Sequence, residues 1–321
     1  MTDIKPNEKI NLPPVGSWPQ TVHVFDEKSA WAIRAALAAQ RPLLVRGEPG
    51  TGKSQLARAA AHVLGRAFVC EVVHAGSECR ELQWHFDAVG RLGEAQAIGV
   101  SGKAEYKEKM LDPLRFLSPG ALWWAFDWES AEEQFEKSSG GFRKPEKPRG
   151  WKPQDGCALL IDEIDKADAD LPNGLLETLG NGAFAVPYMD ESVGLAENAP
   201  PPLVVITTNE ERELPSAFLR RCMVLRLKLP EKKDELIPWL MEKGKLHFPD
   251  CPEKILKEAA SQLWNDRKEA LDQALPAPGQ AEYLDILRAL DEIGGDEKEQ
   301  LKVLNEISEF ALQKYPEESR P

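Results

Sequence analysis

Cysteine is scarce and unpaired in this sequence. Cys70, Cys79, Cys157, Cys222 and Cys251 form no C-x-x-C pair, and the five histidines are equally scattered. The pattern excludes a disulfide framework and a zinc site, and fits reduced thiols. No stretch reaches the roughly 18 to 20 apolar residues that a spanning helix needs, so no membrane insertion is expected. The opening MTDIKPNEKI lacks the apolar run of a signal peptide, which makes a cytoplasmic location the expectation. Basic charge is also short: 40 lysines and arginines against 53 acids leave a net charge of -13. A field of that sign repels a polyanion and argues against nucleic acid as the main partner.

What is present is a succession of short apolar runs. Leu43–Val45, Ala67–Val73, Cys157–Ile161 and Leu203–Ile206 have the continuous apolar character of strands buried on both faces. A fifth, Met223–Leu229, alternates with Arg226 and Lys228, as a strand nearer the sheet edge would. Helical patterns separate them, including a stripe of Trp31, Ala32, Ile33, Ala36 and Leu37 and the alanine-rich segment 55–64. The expected fold is α/β: an αβα core on a five-stranded parallel sheet. After Pro230 strand signals vanish, and 253–265, 281–293 and 298–314 are helical, with Leu301, Leu304, Ile307 and Phe310 on one face. The expected domains are an extended, proline-containing arm over 1–21, an α/β domain over 22–230, and a small all-α domain over 231–321. Within the second, 129–156 runs acidic then basic without an apolar run, and its composition predicts a flexible insertion. Phe142, Arg143, Lys144, Arg149 and Trp151 would arm it for gripping a partner.

Four motifs carry chemistry. Gly47-Glu48-Pro49-Gly50-Thr51-Gly52-Lys53-Ser54 matches the P-loop pattern G-x-x-x-x-G-K-S/T between an apolar run and a helix. Its glycines let backbone N–H groups converge on phosphate, Lys53 reaches the β- and γ-phosphates, and the Ser54 hydroxyl is placed to ligate Mg²⁺. By composition such a match arises by chance in about one chain of this length in a hundred. Second, Ala158-Leu159-Leu160-Ile161 leads into Asp162 and Glu163, the form of a Walker B strand. Asp162 would hold the Mg²⁺ shell and Glu163 would polarise a water for attack on the γ-phosphate. Third, Val204-Val205-Ile206-Thr207-Thr208-Asn209 closes a buried strand on a polar residue. Asn209 can position that water or cap the next turn. Fourth, Leu214 to Cys222 reads as a short helix ending in Arg220 and Arg221, which either complement the helix dipole or reach a neighbouring subunit's γ-phosphate. The absence of N-K-x-D favours ATP over GTP.

Taken together, G-E-P-G-T-G-K-S, D-E-I-D-K-A-D, T-T-N and L-P-S-A-F-L-R-R-C resemble the MoxR-like branch of the AAA+ ATPases over about residues 22–290. The resemblance implies a homo-oligomeric, hexameric ring with ATP between subunits, followed by a helical lid. It implies Asn209 as sensor 1 and Arg221, beside Arg220, as the arginine finger. It further implies chaperone-like remodelling of a protein client, commonly beside a von Willebrand factor A domain partner. One departure is visible: after the turn Pro276-Ala277-Pro278-Gly279-Gln280, the sensor-2 arginine's place holds Ala281, and Arg288 stands two turns on. Two other readings remain, an ATP-gated scaffold with weak turnover and an ATPase acting on nucleic acid through 143–152. The aromatic run Leu122-Trp123-Trp124-Ala125-Phe126 reads as core packing before a base-stacking platform. His74 and His85 have no partners at ligand spacing.

Overall fold

A computed structural model describes residues 4–99 and 108–312. Residues 1–3 of the expected arm and 313–321 of the expected C-terminal domain lie outside them. The central sheet joins β3 (Leu43–Arg46), β4 (Ala67–Val72), β7 (Cys157–Asp162), β10 (Leu203–Thr208) and β11 (Met223–Arg226), all parallel, in the order β11-β3-β10-β7-β4. The five expected runs are these five strands, and β11 is an edge strand, shorter than its apolar pattern. Alternate residues serve opposite faces. Leu43, Val45, Ala158, Leu160, Leu203 and Val205 pack against α1 (Glu27–Ala39) and α2 (Lys53–Val63), whereas Leu44, Leu159, Ile161, Val204 and Ile206 face the other layer. Both faces are covered, so the strands are apolar throughout.

The other layer is built by the segment between β4 and β7. Here α3 (Cys79–Gln83), α4 (Ala88–Ile98), α5 (Ala121–Phe126) and α6 (Trp128–Lys137) surround the ribbon of β5 (Trp84–Phe86) and β6 (Leu117–Pro119). All six residues of α5 are buried, so the aromatic run is core. The expected flexibility over 129–156 is not what its first third shows. Asp127 caps α6, Ala131 and Gln134 are buried, and Gln134 Nε2 donates to the Leu114 and Leu117 carbonyls at 2.7 and 2.8 Å. Trp151 packs edge-on against Trp128 at 4.6 Å, and Glu132 pairs with both Lys144 and Lys147. The acidic-then-basic pattern pairs with itself.

Three further expectations change. The N-terminal arm is a ribbon of β1 (Lys9–Leu12) and β2 (Thr21–Val24) with Ile4 and Leu12 fully buried; the Pro13 and Pro19 carbonyls accept from the Arg58 guanidinium on α2. Trp31 is 66% exposed, because the buried stripe of α1 runs through Ala30, Ile33 and Ala36, and the Arg34 guanidinium lies over its ring. Phe310 is exposed as well, while Leu304 is fully buried.

Between β7 and β10 come α7 (Asp170–Asn181) and a short ribbon of β8 (Ala183–Phe184) and β9 (Val193–Gly194); α8 (Ser216–Arg221) precedes β11. After β11 come α9 (Lys233–His247), α10 (Glu253–Asp272), α11 (Gln280–Ile293) and α12 (Glu297–Leu312). They share a core of Leu236, Leu240, Leu256, Tyr283 and Leu287, with the Tyr283 hydroxyl donating to the Leu256 carbonyl at 3.1 Å.

Candidate active site

The C-terminal ends of β3, β7 and β10 open on one cleft of about 640 Å³, closed above by α9 and α11 and at the side by β2. Pro49, Gly50, Thr51 and Gly52 of the P-loop line it. Lys53 is the first residue of α2 and only 6% exposed; its Nζ donates to the Gly47 and Glu48 carbonyls, both at 2.8 Å. Burial lowers the lysine below its ordinary pKa, and the charges of Asp162, Asp165, Glu163 and Glu210 work against that shift.

Sheet register assembles the acidic half. Thr207 lies opposite Val45, and Ile206 opposite Ile161, so the end of β10 comes beside Asp162 at the end of β7. Ser54 Oγ stands 2.9 Å from both Asp162 carboxylate oxygens. The buried Thr207 hydroxyl donates to Asp162 Oδ1 at 2.5 Å and accepts from the Glu163 N–H at 2.9 Å. Glu163 itself has φ 59 and ψ 47, a left-handed backbone uncommon for a residue other than glycine. Asn209 Nδ2 donates to Glu163 Oε1 at 3.2 Å. Asp165, 2% exposed, accepts from the backbone of Asn209 and Glu211 at 3.4 and 2.9 Å and so shapes the loop that presents Asn209.

Ser54, Asp162, Glu163 and Asn209, predicted from separate motifs, thus converge. Arg220 and Arg221 do not join them: both are exposed at the end of α8 and neither lines the cleft. Ala281 does line it, at the start of α11, and so does Arg288, whose guanidinium is held by Asp285 at 2.8 Å. His74 and His85 stay outside, His85 stacked on Phe142 with centroids 4.4 Å apart. Sequence reasoning missed Thr207 and Asp165 as organisers, although both lie inside quoted motifs. It also missed Arg267 on α10, which pairs with Glu48 at 2.7 Å and has no local signal.

A lysine at a helix start, a hydroxyl and carboxylate sharing one point, and a glutamate beside them define a P-loop nucleoside triphosphatase. The chain matches the family model described as AAA domain (dynein-related subfamily) over residues 42–222, more than half its length, and it belongs to that family of AAA ATPases. A solved structure from Cytophaga hutchinsonii, described as "a putative ATPase", is similar at 13% identity and a TM-score of 0.38, covering 88% of this chain and 79% of that one. No curated protein sequence matches.

Replacing Thr207 by Val deprives Asp162 of a donor and the Glu163 N–H of its acceptor. At about 1.5–3 kcal/mol for a hydrogen bond to a charged group, kcat should fall roughly ten- to hundredfold. Steady-state kinetics on the folded variant check this; an unchanged kcat removes Thr207 from the machinery.

Two cleft histidines set a pH dependence. Burial, then Lys243, push His23 from 6.5 down to about 4, against the opposing pull of Asp26. Burial, Lys243, Arg288 and Lys9 do the same to His247. Between pH 6.5 and 4 the unfolded chain therefore holds more protons than the folded one. Their contribution to stability is complete above about pH 6.5 and is lost as pH falls toward 4. Urea midpoints at pH 7.5 and 5 should drop for the wild type and drop less for a His23→Gln, His247→Gln variant; equal drops refute the assignment.

Proposed function

We propose that this chain is a MoxR-like ring ATPase that hydrolyses ATP between subunits to remodel a protein partner. One observation supports it above others: Ser54, Asp162, Glu163 and Asn209 form a single connected site, while Arg220 and Arg221 are exposed and lie outside it. Glu163, held by Asn209, is the base that polarises the attacking water, and Lys53 with the P-loop amides binds the phosphates. The donor set suits Mg²⁺. Ser54 Oγ and the Asp162 carboxylate are hard oxygen ligands converging within 2.9 Å, and Mg²⁺ on nucleotides takes one or two protein oxygens beside phosphate and water. When bound, Mg²⁺ neutralises charge on the β- and γ-oxygens.

The arginines fit action in trans. Phe218 is fully buried and anchors α8, leaving Arg221 exposed to a neighbouring subunit's γ-phosphate, with Arg220 beside it. A hexamer and a von Willebrand factor A domain partner follow from the MoxR resemblance. The nucleic-acid reading is weaker, since Lys144 and Lys147 of the basic stretch are paired with Glu132.

Steady-state ATPase assays under assembling conditions test the site. Glu163→Gln should lower kcat by about a hundredfold or more with nucleotide binding retained. Turnover equal to the wild type defeats the hydrolytic assignment. Arg221→Ala rings should be about a thousandfold slow, and mixing them with Lys53→Ala subunits should recover activity. Mixed rings without recovery at any ratio place the arginine's action elsewhere.

A further inference from the structure

Among the described residues, one ion pair joins the lid helices to the P-loop, and it does not involve the first turn of α11. That turn presses on the loop without charge: a Cβ built on Gly50 would sit 2.8 Å from the Ala281 Cβ. The charged link is Arg267 of α10. Its side chain is 9% exposed, its Nη2 donates to both Glu48 carboxylate oxygens at 2.9 and 2.7 Å, and its Nη1 donates to the Pro278 carbonyl at 3.0 Å. Arg267 therefore grips the P-loop with one arm and the turn leading into α11 with the other.

Glu48 is held at both ends. Its carboxylate belongs to the lid, while its carbonyl accepts from Lys53 Nζ and from the Thr51 hydroxyl, each at 2.8 Å. We propose that Arg267 is the positioning residue through which the lid senses nucleotide, acting through Glu48 and never touching phosphate itself. A phosphate oxygen is a stronger acceptor for Lys53 than a peptide carbonyl, because both partners are charged. As Lys53 turns to phosphate, the Glu48 carbonyl loses a donor and its peptide shifts, taking the carboxylate with it. Arg267, fixed to the Pro278 carbonyl, passes that shift to the start of α11. The task needs a planar fork with N–H groups in two directions, which lysine cannot supply.

A plain staple is the competing explanation. Glu48 is 52% exposed, and a pair with one half-solvated partner adds little stability, so staple and sensor differ in what they predict. The sensor rests on the nucleotide site described above, and its test uses the full chain with the Mg²⁺ complex of adenylyl-imidodiphosphate, so turnover is not needed. Amide hydrogen exchange over 274–284 should change on adding that nucleotide to the wild type. In Glu48→Gln, Arg267→Gln and Arg267→Lys the change should vanish while nucleotide Kd stays within about threefold and kcat falls about tenfold. The double variant Glu48→Gln, Arg267→Gln should be no slower than the worse single one. The proposal is overturned if the variants keep the nucleotide-dependent exchange and kcat and lose only melting temperature. Losses that multiply in the double variant, or full rescue by Arg267→Lys, also overturn it. If the wild type binds nucleotide and its lid responds but it hydrolyses no ATP, the hydrolytic reading fails while the role of Arg267 stands.

Discussion

Two strand ends and one helix start are tied together at the Asp162 carboxylate. Ser54 reaches it from the P-loop helix and Thr207 from the neighbouring strand, and the same Thr207 hydroxyl fixes the backbone of Glu163. A carboxylate half-removed from water is costly unless its lone pairs are used, so these donors stabilise the charge and set the site's geometry together. Glu163 occupies its left-handed conformation because Thr207 holds its N–H and Asn209 holds its side chain. Glu163, the residue proposed above to polarise water, is thus oriented by its neighbours in the absence of nucleotide, the condition under which electrostatic catalysis works without reorganisation.

Around this centre the molecule sorts its charges by task. The P-loop lysine is buried and surrounded by carboxylates, which keeps it cationic despite desolvation. The histidines at the side of the cleft are half-buried beside Lys243 and stay neutral near pH 7, so the positive charge on that wall comes from Lys243 and Arg288. Glu210 pairs with Arg46 and Arg226, tying the loop after β10 to β3 and the edge strand. Arg220 and Arg221 have no such side-chain pairing among the described residues and are left at the surface, as are Arg143 and Arg149.

What the sequence discloses follows from how locally each feature is encoded. The five strands were readable because a sheet covered on both faces demands unbroken apolar runs, and the P-loop because its glycines and lysine are contiguous. The ribbons β5–β6 and β8–β9 are two or three residues long, too short for a period to show. Pro238 early in α9 masked a helix whose other residues are ordinary helix formers. The helix α6 was hidden by polar composition, since Gln134 is buried through hydrogen bonds and not through apolar contact. Arg267 and Glu48 stand 219 residues apart, a separation at which no spacing rule operates.

The register of β10 has a consequence for how the protein loses activity. Thr207 and Thr208 are adjacent and both fully or nearly fully buried, yet only the first faces Asp162. A slip of one residue would exchange them and send Val204 and Ile206 to the wrong layer, so a shifted β10 is also an unfolded core. Within the α/β core, loss of the β10 register is therefore loss of packing and of the Asp162–Thr207 contact together, while the lid helices keep a core of their own.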